Sequence, residues 1–134
     1  MLFDRFNLSE DIFDILFATE QQKLVGKLLI EYIKGNEGEI TKTEMSFFAT
    51  KLHEGKYIFS GSLINIPAKE VKIKYNKRQF YDRILTPMKS MGIIDYDLYK
   101  KTYKLSDKLN KEMIKIGLMW LKEFRREPYR LQKK

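Results

Sequence analysis

The residues best suited to chemistry lie in one run, from Asn76 through Lys77, Arg78, Gln79, Phe80, Tyr81, Asp82, Arg83, Ile84, Leu85, Thr86, Pro87, Met88, Lys89 and Ser90 to Met91. Asn76 with Gln79 three residues on has the form of a helix start. At 100° per residue, Phe80, Ile84 and Met88 make an apolar spine. Arg78, Gln79, Arg83, Thr86 and Lys89 gather on the other side, with Asp82 and Ser90 among them and Lys77 at the start. Arg matches the two acceptors of guanine and Gln can pair with adenine, so this donor set suits the major groove of duplex DNA. Asp82 follows Arg78 by four residues, the spacing that can hold a guanidinium in place. The plainer reading of the same face is ordinary solvation.

Other chemistries have thin support. The chain has no cysteine and one histidine, His53, at an expected helix end where a capping role is the simpler reading. There is no glycine-rich phosphate loop. Asp95 with Asp97, or Glu37 with Glu39, read as surface carboxylates before they read as a cation site. We therefore expect no catalytic residues, no metal and no cofactor, and a protein that is not an enzyme.

Charge points the same way as the helix. Residues 1–68 carry seven Lys/Arg against ten Asp/Glu, a net of −3, whereas residues 69–134 carry nineteen against eight, a net of +11. Such asymmetry suits a second half that faces a polyanion. A lysine-rich solubilising surface is the alternative.

The elements that must position these residues are mostly helical. Of the 134 residues 43% are apolar, with nine Phe, eight Tyr, six Met and only three Pro, enough for a single domain with one core. Asn7-Leu8-Ser9-Glu10 resembles a capping box ahead of Ile12, Phe13, Leu16 and Phe17. Thr19 with Gln22 starts a second helix that should stop near Gly35, and Thr41 with Glu44 a third, over residues 42–53. Lys56 to Ile66 reads as short extended segments about a turn at Ser60-Gly61-Ser62. Residues 67–75 are ambiguous. Val71, Ile73 and Tyr75 alternate with lysines as in a strand, yet Pro67 near a first turn suits a short helix. The helix is preferred here because a basic helix and a hairpin come next in the chain. Gly92 should end the helix begun at Asn76. Pro87 inside it implies either a kink or a new turn capped by Thr86. Two β-prone runs about Leu98 come after Gly92, and then a last helix capped by Ser106 and reaching about residue 126.

The order short helix, basic helix, glycine, two-stranded hairpin resembles the winged-helix family of DNA-binding domains. Its carrier is the phrase NKRQFYDRILTPMKSMGII, which is similar to a recognition helix with its closing glycine. The resemblance implies a mainly α fold with a small β-hairpin: a winged helix-turn-helix over residues 42–105, with additional helices at 1–35 and 106–126. It also implies that Lys100, Lys101 and Lys104 on the hairpin meet phosphate or the minor groove, as phosphate contacts position while base contacts specify. Lys69, Lys72 and Lys74 would brace the backbone.

The last helix suggests a second role. Leu109, Met113, Ile116, Trp120 and Phe124 form one stripe, and Ile114, Leu118 and Leu121 widen it well past the usual 100° or so. A helix this apolar is deeply buried or packs against two things. A second copy of the chain is one natural partner, with Ile114, Leu118 and Leu121 in the dimer interface and the acidic helices at 1–35 beside them. In plan this is similar to the multiple-antibiotic-resistance regulators. The leading expectation is a sequence-specific double-stranded DNA-binding protein, a homodimeric transcriptional regulator. The alternative is a helical protein-interaction module, a replication or assembly factor with non-specific nucleic-acid binding. A third, single-stranded reading rests on Tyr81, Tyr96, Tyr99 and Tyr103 stacking on bases. No apolar run reaches the roughly 18 residues of a membrane span, and the acidic start lacks the form of a signal peptide. A cytoplasmic protein with no membrane partner is the matching expectation.

Overall fold

The computed structural model describes residues 4–60 and 70–131 of the chain. Over these the architecture is mainly helical, with two small antiparallel sheets. Helix α1 (Ile12–Leu16) starts later than the Asn7–Glu10 pattern implied. Its cap is Asp11, whose carboxylate accepts the Phe13 N–H at 2.9 Å, while the Ser9 hydroxyl accepts the Asp11 N–H and donates to Asp14. Asp11 and Asp14 then pair with Lys27 and Lys23 of α2 (Glu20–Lys34), which clips α1 to its neighbour. Thr19 caps α2 through the Gln22 N–H, as its spacing implied. Val25, Leu29, Ile30 and Ile33 of α2 are buried, so this helix gives its apolar face to the core of its own domain.

A turn with left-handed Glu37 and Gly38 leads into β1 (Glu39–Thr41). This strand has no sequence signal, because only Ile40 of its three residues faces inward. Thr41 ends it and also caps α3 (Lys42–His53) in a reciprocal box with Glu44. Next comes a hairpin of β2 (Tyr57–Ser60) and β3 (Glu70–Ile73), in register Tyr57↔Ile73 to Ser60↔Glu70. The helix expected over 67–75 is therefore corrected: Glu70–Ile73 is strand, and residues 61–69, with Gly61, Ser62 and Lys69, lie outside the described residues. The period-two alternation was the better signal. Ile73 and Tyr75 are buried while Lys72 and Lys74 face water, and pairing with β2 satisfies the backbone non-locally.

The basic run forms α4, residues 77–90, in three consecutive parts: Lys77–Phe80, a π-helical turn Tyr81–Leu85, and Thr86–Ser90. Asn76 caps it through the Gln79 N–H at 3.1 Å. The π turn explains how Pro87 sits inside a helix. The Thr86 N–H reaches back five residues to the Tyr81 carbonyl, so the ladder is already wider where proline withholds its donor. Gly92, at φ 82°, closes α4, and β4 (Ile94–Asp97) and β5 (Thr102–Leu105) come next. The three-stranded sheet runs β1–β5–β4.

Phe48 of α3 sits at the centre of the core. Its ring lies 5.1 Å from Tyr32, 5.0 Å from Tyr57 and 5.5 Å from Phe80, which ties α2, β2 and α4 to α3. Burial pushes the Tyr57 hydroxyl up to about 12, so this ring is neutral packing. The last helix, α5 (Lys108–Arg125), behaves otherwise: none of its residues is buried. Of the two environments its wide apolar face suggested, the core of the protomer is not the one it occupies.

Candidate nucleic-acid interface

One side of α4 is anchored and the other is open. Phe80, Ile84, Leu85 and Met88 are buried against the core. Arg78, Gln79, Asp82, Arg83, Thr86 and Lys89 are exposed. The guanidinium of Arg78 lies 4.0 Å from the Asp82 carboxylate, the i, i+4 relationship its spacing implied, with both side chains largely in water. At that length and exposure the pair orients Arg78 loosely and leaves its donors free.

Lys77 is placed differently from its neighbours. Its amine donates to Thr50 Oγ1 at 2.9 Å and to Ser46 Oγ at 3.3 Å, both on α3. Its backbone N–H donates to His53 Nδ1 at 3.1 Å. Lys77 therefore fixes α4 against α3. Sequence periodicity did not single out this latch, although Ser46, Thr50 and His53 recur at helical spacing beside the buried Met45, Ala49 and Leu52, a legible polar edge to an apolar stripe.

The β4–β5 hairpin supplies the second group. Asp97 accepts the N–H groups of Tyr99 and Lys100, and Lys101 adopts the left-handed conformation at φ 53°, so the tip is a tight turn. Lys100 and Lys101 are exposed there, beside Leu98 and Tyr99, the last of which is 99% exposed. Lys104 is not at the tip. On β5 it lies between Glu39 of β1 and Asp95 of β4 in register. Asp95 titrates below the usual carboxylate range, chiefly because the Lys108 amine bonds it at 2.9 Å, with Lys104 adding to the effect. The charge of Lys104 is thus partly answered within the protein.

No family model, curated protein or solved structure matches this chain. What the site can do rests on its own geometry.

That geometry sorts the remaining tyrosines. Tyr103 is buried and packs at 4.6 Å on Tyr96, and Tyr81 is half-buried at 5.5 Å from Phe80. Of the four tyrosines expected as stacking platforms, Tyr99 alone offers an open ring. Lys72 and Lys74 are exposed on β3 and just after it, not on a helix ahead of α4. Ile114, Leu118 and Leu121 are all exposed on α5. Among the described residues, no three His, Asp or Glu side chains converge as they would to hold a metal ion, and no helix is long and apolar enough to cross a membrane.

Proposed function

We propose that this chain is a winged-helix protein that binds double-stranded DNA and regulates transcription as a homodimer. A single observation carries the reading. The helix with the densest set of groove-reading donors is bolted to the core along its apolar side, and Arg78, Gln79, Arg83, Thr86 and Lys89 all stand open on the other. Contact of α3 with α4, and the ribbon of β4 and β5 after Gly92, support the family resemblance; α3, not residues 67–75, is the helix paired with α4. Lys100 and Lys101 at the ribbon's tip are suited to phosphate. Lys77 takes the role of a brace.

The test is selection of bound sequences from a random duplex pool, followed by affinity measurements on Arg78→Ala and Arg83→Ala. An enriched site that both variants lose is the expected result. Unchanged sequence preference in both would remove α4 as the reading element.

The exposed apolar face of α5 favours a second reading, an interaction module whose nucleic-acid binding is non-specific. Binding that enriches no sequence and collapses at moderate salt would select it.

A further inference from the structure

Helix α5 leaves more apolar surface in water than a monomer ordinarily does. Eight large apolar side chains of this helix are exposed, with Trp120 at 66% and Phe124 at 72%. Together they present on the order of 900 Å² per copy, against the roughly 800 Å² that one partner contributes to a standard protein interface. Scattered exposed residues need no explanation, but a contiguous face above about 600 Å² does.

The two halves of α5 differ in shape. Its first half, α1 and the end of α4 at Lys89–Gly92 enclose a groove of about 580 Å³, in which Ile12, Ile15, Leu16, Leu109, Met113 and Ile116 make a largely apolar lining and Asp95, Lys108 and Glu112 add charge. Among the described residues nothing covers most of Trp120 or Phe124 in the second half, which stands as a ridge. Groove and ridge thus lie end to end on one helix. A two-fold axis across its middle places each ridge in the other copy's groove, and such a contact closes at two chains.

Gly117 lies at that midpoint. A Cβ there would meet nothing within 4 Å among the described residues. A glycine inside a helix costs about 1 kcal/mol relative to alanine, and no described residue of the single chain uses the space it leaves. Met113, Trp120 and Leu121 flank it at i−4, i+3 and i+4. A second helix can therefore approach the backbone most closely at Gly117.

We propose that two copies pair through α5 in antiparallel orientation, crossing at Gly117, with Trp120 and Phe124 of each copy seated in the α1–α5 groove of the other. The inference rests on the homodimer reading above and is independent of what the DNA site recognises. Both ends of α5 are basic, with Lys108 and Lys111 at one and Lys122, Arg125 and Arg126 at the other, so charge does not choose the direction. The grooves do choose it, because parallel pairing would set ridge against ridge and leave both grooves empty. A helix lying in a groove is covered on two sides, which accounts for an apolar arc too wide for a flat two-helix seam.

The chain has no cysteine, so engineered cysteines report the geometry directly. Ile116→Cys should form a disulfide with itself across the axis. Leu109→Cys and Phe124→Cys should each fail alone, since 15 residues of helix separate equivalent atoms by about 22 Å, beyond the roughly 7 Å a disulfide spans. Mixed, the two should cross-link. Gly117→Ala should make the free helix more stable yet weaken the dimer at least ten-fold by sedimentation in high salt without DNA. A dimer in which Leu109→Cys and Phe124→Cys each cross-link alone overturns the antiparallel arrangement only. Tighter or unchanged pairing in Gly117→Ala overturns the crossing point. A wild-type chain that sediments as a monomer at high concentration overturns the homodimer itself.

Discussion

The imidazole Nδ1 of His53 accepts the backbone N–H of Lys77 at 3.1 Å, so the last residue of α3 caps the first turn of α4. Opening turns of helices carry N–H groups with no partner inside the helix, and here a residue 24 positions away supplies one. His53→Ala should lower stability by about 1 kcal/mol, the usual effect of losing a cap. His53→Asn, which keeps an acceptor within reach, should recover part of it. Denaturant titrations of the three proteins decide this; equal midpoints would mean the bond contributes nothing.

Lys77 and Arg78 are adjacent cations with different tasks. Removing the Lys77 amine strands the hydroxyls of Thr50 and Ser46. Lys77→Met should therefore cost about 1 kcal/mol of folding stability and leave the salt dependence of DNA binding nearly unchanged. For Arg78→Ala the pattern reverses. Stability should stay within about 0.5 kcal/mol, and binding to the selected site should weaken by about 1–3 kcal/mol with a relaxed sequence preference. The same loss of DNA affinity in both variants would contradict the division.

At the hairpin tip, Lys101 combines a charge with a left-handed backbone, φ 53°. Glycine adopts that conformation freely. Lys101→Gly should stabilise the fold by about 1 kcal/mol while weakening DNA binding. Lys104→Ala, whose charge faces Asp95 and Glu39 in the sheet, should weaken binding much less. Thermal melts and binding titrations at two salt concentrations test both statements.

Gly92 is where the end of α4 meets the start of α5. Its φ is 82°, its carbonyl accepts the Leu109 N–H at 3.1 Å, and a Cβ there would come within 2.9 Å of both the Leu109 nitrogen and the Lys108 Cβ. Gly92→Ala combines an unfavourable backbone with an overlap against main chain. A loss of about 2–3 kcal/mol is expected, and thermal unfolding reads it. A stability within error of the parent would show that the junction relaxes easily.

Acid should loosen α1. The bond to the Lys27 amine holds the Asp11 carboxyl below its ordinary range, and the Lys23 amine together with the Ser9 hydroxyl does the same for Asp14. The unfolded chain then binds more protons than the folded one as pH falls through about 4. Stability from these pairs is complete above that value and is lost below it. The double variant Asp11→Asn/Asp14→Asn should show a flatter stability profile between about pH 5 and 2. A profile as steep as that of the parent would assign the acid sensitivity elsewhere.

Most of the helices, and the sidedness of the basic one, were legible from local signals. The Thr19, Thr41 and Asn76 caps, the Gly92 stop and the Phe80–Ile84–Met88 spine depend on neighbours within about four residues, and a helix satisfies its backbone within that range. The strands were not legible to the same degree. β1 has one inward residue, Ile40, and exists because Tyr103 of β5 lies across from it, 63 positions away. β3 competed with a helix until β2 paired with it. The fates of particular cations also needed the fold: Lys77 is a brace only because α3 brings Ser46 and Thr50 to its amine, and Lys104 is partly answered only because Glu39 and Asp95 flank it. Sequence periodicity showed that α5 has too much apolar surface for one neighbour. That its own protomer covers none of those side chains completely is a property of the packed structure, because periodicity specifies a face and says nothing of what is laid against it.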